Sequence, residues 1–223
     1  MVHPLYAVIT GDVRNSTRLP VADLIRLPSV LKEIFNTLNL FLEKKGQWLK
    51  YSIFRGDSFQ LVIEPASAFE TVLFVRAGLR SAFPATVARA VDCRLAVAIG
   101  TVENMSDNIT ESTGEAFIQS GRLLDELKKS FLMAIYTPNP SITSELNTEL
   151  ALCDELIRRW THSQALLVPK LLNADAQSFI ADKTGISQSA VAKKLQSMGW
   201  LSIAQLSDRY QNLCTQLYQE YNL

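Results

Sequence analysis

At 223 residues the chain is long for one small domain, and roughly 100 to 200 residues per domain leaves room for a principal domain plus a smaller one. Lys plus Arg number 22 and Asp plus Glu number 22, so no global field draws the protein to nucleic acid or a membrane, and any such binding must be local. An apolar fraction of 48% with strong periodicity excludes a disordered chain, and the three cysteines, Cys93, Cys153 and Cys214, lack the spacing of a disulfide framework or zinc site.

The opening MVHPLYAVITGD has no basic stretch and meets an aspartate before an export-length apolar run develops. No apolar run reaches membrane-spanning length, and the cysteines read as free thiols of a reducing cytoplasm, where the protein is expected. Leu5 to Thr10 are apolar or β-branched and read as a central strand covered on both faces. Residues 20–46 carry Leu24, Leu27, Leu31, Ile34, Phe35, Leu38 and Leu42 at helical spacing, with a break expected near Pro28 and a stop at Gly46. QWLKYSIF and SFQLVIE, separated by Arg55-Gly56-Asp57, read as a hairpin. SAFETVLFVRAGLRSAF is helical and closed by Pro84; CRLAVAIGTV returns to a buried strand; residues 101–113 read as a loop. GEAFIQSGRLLDELKKS is helical, FLMAIYTP is a further strand, and Pro138 and Pro140 end the first domain.

The order β, α, β, β, α, β predicts an α+β fold over residues 1–140, a ferredoxin-like βαββαβ sheet with helices on one face. From 141 to 223 apolar residues recur only at helical intervals, so the second domain is all helix. Asp12 and Asp57 each follow a glycine, one at the expected exit of the first strand and one in the hairpin loop, which lie side by side in this topology. Each alone reads as a turn residue. Together they repel unless a cation lies between them, and Mg2+ (or Mn2+) held by carboxylates and phosphates is the expected neutraliser.

TGDVRNST resembles the first metal motif of class III nucleotidyl cyclases, and FRGDSFQLVI resembles their Gly-Asp hairpin and, more distantly, that of diguanylate cyclases. CRLAVAIGTV is similar to their arginine-led strand, and GEAFIQSGRLLDEL to the helix carrying the transition-state arginine. The resemblance implies metal ligation by Asp12, Asp57 and the Val13 carbonyl. It implies a catalytic role for Arg122, base recognition near Glu111, and a nucleotide beside Arg55 and Gly56. Two departures stand out: Ile118 replaces the asparagine one turn before the arginine, and Ile53 replaces the adenine-reading lysine, with Lys50 out of phase. From the residues alone Arg122 equally reads as a surface partner of Glu115, Asp125 or Glu126. Arg55 either meets phosphates or shields Asp57.

In the tail, QSFIADKTGISQSAVAKKL has a helix-turn-helix pattern. Ala181 is small at the helix crossing, Gly185 makes the turn, and Ile180, Ile186, Val191 and Leu195 pack the pair. The second helix, Ser187 to Met198, would enter the major groove of DNA, with Ser187, Gln188 and Ser189 near bases and Lys193 and Lys194 near phosphates. Residues 141–223 hold seven Lys or Arg against eight Asp or Glu, a balance for which DNA binding benefits from a homodimer. Trp200, Leu201, Ile203, Leu206, Tyr210, Leu213, Leu217 and Tyr221 read as core or dimer packing. Over its full length the chain resembles the bacterial SatD-like family. The expected function is a nucleotide-responsive DNA-binding regulator with a degenerate cyclase-like site; the alternative is an active nucleotidyl cyclase or nucleotidyltransferase. No membrane partner is expected.

Overall fold

Five strands form one sheet in the order β2-β3-β1-β4-β5 in a computed structural model that describes residues 4–83, 91–128 and 130–221. β1 (Leu5–Arg14) lies between β3 (Ser58–Ile63) and β4 (Asp92–Thr101), antiparallel to both. β2 (Lys50–Phe54) pairs antiparallel with β3, and β5 (Met133–Tyr136) parallel with β4. β1 runs four residues beyond the apolar segment that announced it. β4 pairs with it through Arg14↔Asp92, so Asp12 is a rung of the ladder and not a residue after the strand's exit.

Odd-numbered residues of β1 (Leu5, Ala7, Ile9, Val13) face α1 (Val21–Glu43) and α2 (Ala68–Ala82). Even-numbered Val8 packs instead with Val62, Val102, Ile109 and Ala116, the last from α3 (Glu115–Glu126). The expectation of helices on one face is therefore corrected: α3 covers the opposite face, because the sheet is apolar on both sides and must be sealed on both. On the α1 side Phe35 meets Tyr51 and Phe59 with ring centroids 5.1 Å apart in each case. Full burial of Phe35 and of Phe59 contributes about 1.5–3 kcal/mol each.

The break expected at Pro28 does not occur, and α1 continues through it. The carbonyl that loses its helical donor belongs to Leu24, which is 40% exposed, so water can serve it. Leu27, Leu31, Phe35, Leu38 and Leu42 are fully buried on the inner side and hold the remaining turns in register. Pro84 lies outside the described residues.

The tail packs onto the same core. α4 (Pro140–Ile157) flanks the edge strand β5, where Asn147 Oδ1 accepts from the Ile135 amide at 3.0 Å and Nδ2 donates to its carbonyl at 2.7 Å. That satisfies backbone groups an open edge would offer to another chain. Short helices α5 (His162–Ala165) and α6 (Val168–Leu172) lead to α7 (Gln177–Thr184) and α8 (Gln188–Met198), joined at Gly185 with φ 70°. α9 (Trp200–Tyr221) returns to the sheet domain, where Tyr210 Oη donates to the Pro65 carbonyl at 2.9 Å. Ile203, Tyr210, Leu213 and Leu217 are buried there, while Leu201 is 75% exposed.

A buried ionic cluster joins the two parts. Arg76 donates through Nε and Nη2 to Asp92, at 2.9 and 2.7 Å, and through Nη1 to Asp154 at 2.7 Å. Arg80 donates to Asp92 and to the carbonyls of Ile157 and Trp160 at the end of α4. Burial alone would raise the Asp92 pKa, but Arg76 and Arg80 outweigh it and hold the carboxyl below its ordinary range.

Candidate functional site

The ladder registers set Phe54, Ser58, Asp12 and Arg94 on one rung, contributed by β2, β3, β1 and β4. The preceding rung, Ile53–Phe59–Gly11–Leu95, belongs to the α1 and α2 core, so period-two alternation directs the Asp12 rung to the α3 side. Gly11 has a packing reason: a Cβ there would lie 2.7 Å from both Leu95 Cδ2 and the Phe59 ring. The same register keeps Ile53 in the core, one strand face away from Asp12.

The backbone segments that carry Asp12 and Asp57 lie side by side, the Val13 amide donating to the Asp57 carbonyl at 2.9 Å. Their carboxylates already have partners. Arg94 grips Asp12 with two parallel bonds, Nε to Oδ1 at 2.9 Å and Nη2 to Oδ2 at 2.5 Å. Asp57 accepts from Ser16 Oγ at 2.6 Å and Ser58 Oγ at 3.2 Å. The Asp12 and Arg94 side chains keep 25% and 30% of their surface exposed, so the pair is reachable from solvent. Hydrogen bonding to Asp12 raises the Arg94 pKa, with Asp125 of α3 adding to that field.

Two non-glycine residues near these acids adopt left-handed backbone, Asn15 and Arg55, each at φ 56°. Arg55 and Gly56, at φ 81°, make the three-residue hairpin loop that presents Asp57, a geometry glycine meets freely and arginine at some cost. The Arg55 side chain is exposed.

Arg122 is exposed on α3, the helix whose Ser120 Oγ shares a 2.8 Å hydrogen bond with Thr10 Oγ1 of β1. Glu115, one acid considered as its surface partner, instead accepts from Tyr136 Oη at 2.8 Å. Glu111 ends a short 3-10 turn whose Ile109 packs against Val8 and Val62. That packing lies four rungs, about 13 Å at strand rise, from Asp12. Ile118 is 54% exposed.

In the tail, Ser187 caps α8, its Oγ accepting from the Ala190 amide at 3.2 Å. Gln188, Ser189 and Lys193 are exposed, whereas Lys194 donates to Ser163 Oγ at 2.7 Å. Ile180, Ala181 and Val191 form a small core of their own with Leu167.

The residues missed in sequence are Arg94, which grips Asp12, and Ser16, which holds Asp57. In the sequence Arg94 stands only at the head of a strand; its antiparallel register with Asp12 is what assigns it a partner. Among the described residues no cluster of three or more His, Cys, Asp or Glu forms a metal cage. The oxygens of Asp12, Asp57 and the Val13 carbonyl are hard donors of the kind Mg2+ prefers, which binds few protein ligands and keeps water or phosphate for the rest. Their donor chemistry suits such an ion, while Arg94 engages the Asp12 carboxylate and Ser16 and Ser58 that of Asp57.

No protein-family model and no curated protein matches the chain. Two solved structures of a bacterial light-regulated adenylyl cyclase are similar to it at 17% and 18% identity. Each covers 59% of this chain, and 74% and 42% of its own, with TM-scores of 0.43 and 0.42. At those values the cyclase activity belongs to those proteins and carries no argument here.

Proposed function

We propose that the chain is a nucleotide-responsive DNA-binding regulator, with a cyclase-like metal and nucleotide site on a ferredoxin-like sheet and a helix-turn-helix tail. The observation that carries this reading is the solvent-reachable rung at Asp12, whose carboxylate is matched by the Arg94 guanidinium and whose strand is hydrogen-bonded through its backbone to the loop that presents Asp57. Mg2+ or Mn2+ held by Asp12, Asp57 and the Val13 carbonyl would screen phosphate charge. Arg94, released from Asp12, then has a fork of donors suited to a phosphate oxygen pair. Glu111 and Arg55 are the reading's flanking nucleotide contacts, with Gly56 shaping the loop.

The coupling runs along β4. Arg94 and Asp92 are two residues apart on that strand, and Asp92 is bound through Arg76 and Arg80 to the end of α4, the first helix of the tail. The tail's own support is the buried Ala181 and Val191 about the Gly185 turn, with Ser187, Gln188 and Ser189 exposed at the start of α8. Glutamine and serine suit base edges, and Lys193 suits phosphate. Lys194 reaches phosphate only by giving up Ser163.

Isothermal titration with each nucleoside triphosphate and Mg2+, on wild type and Asp12→Ala, tests the site. Binding lost in the variant supports it; no binding to wild type, or unchanged binding, overturns it. A DNA selection from random duplexes, followed by anisotropy with and without the bound nucleotide, tests the output.

One observation favours the alternative, an active nucleotidyl cyclase or nucleotidyltransferase. Arg122 is exposed on the helix that reaches β1 through Ser120 and adds to the field on Arg94 through Asp125. An arginine there is available to stabilise phosphate charge in a transition state. Chromatography of triphosphates incubated with Mg2+ or Mn2+ decides it: intact substrates under all conditions rule it out.

A further inference from the structure

The tail carries an apolar groove of about 290 Å3 between α4 and α9, floored by Leu152, Cys153, Leu156, Ile203 and Leu206. A second hollow of about 450 Å3 lies beside it, over Leu195, Gly199 and Trp200. Leu201 lines that second hollow, and Ser202 lines both. Leu152 and Leu201 are 70% and 75% exposed, so this face presents two leucine knobs together with hollows large enough to receive them.

We propose that this face is the contact between two copies of the chain, related by a two-fold axis passing near Leu152. A two-fold contact needs one patch that is complementary to itself, which a surface bearing both knobs and holes satisfies. The charges follow the same symmetry. Seven residues make almost two whole helical turns, so Glu145, Leu152 and Arg159, the last in the turn continuing α4, lie on one stripe. Antiparallel apposition of two such helices about Leu152 sets Glu145 of each copy against Arg159 of the other.

Arg159 is 75% exposed and only loosely paired with Glu155, at 3.8 Å. Glu149 and Glu155, three residues either side of Leu152, would face each other across the axis, each partnered by an arginine of its own chain, Arg209 and Arg158 or Arg159; Glu145 shares Arg209 with Glu149, so Arg159 of the other copy would be its second partner. The contact also pairs the tails. α9 follows α8 after Gly199 alone, so a two-fold here duplicates α8 as a unit, which a charge-balanced tail needs to grip DNA. The dimer itself does not rest on the DNA reading.

Three experiments on the full-length chain test this. Sedimentation over a dilution series should give twice the 24.9 kDa chain mass at the upper end. Leu152→Glu and Leu201→Glu should each weaken association at least about tenfold, as loss of a central apolar anchor does. Arg159→Glu should weaken it, and adding Glu145→Lys should restore it by reversing the pair.

The three native thiols are all buried, so Leu152→Cys introduces one accessible thiol close to the axis. Mild oxidation should link that variant into a covalent dimer and leave Leu40→Cys, on the exposed side of α1, unlinked. A wild type that stays monomeric throughout, as when a small apolar ligand or another protein occupies the groove, overturns the proposal. So does a dimer indifferent to Leu152→Glu and Leu201→Glu, or equal linking of both cysteine variants. Loss of nucleotide or DNA binding with the dimer intact counts only against the function proposed above.

Discussion

Removing Asp154 should be among the most damaging single changes in the chain that touches no candidate ligand. Its carboxylate is 1% exposed and accepts from Arg76 at 2.7 Å, from Arg158 at 2.7 Å and from the Leu132 amide at 3.0 Å. Arg76 is itself fully buried, and two buried arginines, Arg76 and Arg80, are balanced by two buried aspartates, Asp92 and Asp154. Asp154→Ala leaves that interior one positive charge in excess, a change that costs about 3–5 kcal/mol when one partner of a buried pair is deleted.

Leaving the Leu132 amide without an acceptor accounts for about 1–3 kcal/mol and overlaps that figure rather than adding to it. Against the roughly 5–15 kcal/mol that holds a typical domain folded, this is a large share. In urea, with a slope of about 2–3 kcal/mol/M, the unfolding midpoint should fall by about 1–2.5 M. Glu155→Ala, removing the exposed neighbour of Arg158 and Arg159, should change stability by less than about 1 kcal/mol. Equal effects for the two substitutions would refute the argument, because they would mean that the buried position of Asp154 adds nothing.

The same cluster sets an acid dependence. The Asp92 pKa is lowered in the folded state, so its contribution is complete above the unfolded value of about 3.9 and is lost as pH falls through the folded one. Melting temperature should therefore be flat in this respect above about pH 5 and fall below about pH 4, and Asp92→Asn should shallow that fall; an unchanged slope would remove Asp92 from the account. Gly11→Ala should cost about 1–3 kcal/mol, since the added methyl meets fully buried Leu95 and Phe59, and a neutral effect in denaturant titration would show that the core yields there. Arg94→Met should tighten the binding of Mn2+ alone, followed by paramagnetic resonance, because Asp12 no longer has a guanidinium to give up, while weakening triphosphate binding. Unaltered Mn2+ affinity would mean that Arg94 and a metal do not compete for Asp12.

How much of this was legible beforehand depends on the range of the physics involved. Every strand but its ends could be read from local apolar runs, and α1 from its leucines, because burial on a face repeats at short intervals. Pro28 misled because a helix-breaking residue is a local signal, while the packing of Leu27, Leu31 and Phe35 against the sheet overrides it. The covering of both sheet faces was implicit in Val8 and Ala96, apolar at even positions of their strands, but a strand buried on both faces does not say what covers it. Asp12 and Asp57 were visible as Gly-Asp pairs. Arg94 was not, since its role depends on which rung of β4 faces Asp12.

The sequence by itself determined the element order, the change to an all-helical tail at residue 141, and the apolar seam of α7 and α8 about Gly185, since each rests on spacings within one segment. Tertiary structure alone decided which charges are partners. Arg76 with Asp92 and Asp154, Arg94 with Asp12, and Ser16 with Asp57 join segments between 16 and 82 residues apart. A charge carries no mark of its partner in the chain; the register of β4 on β1 and the docking of α4 on α2 choose it.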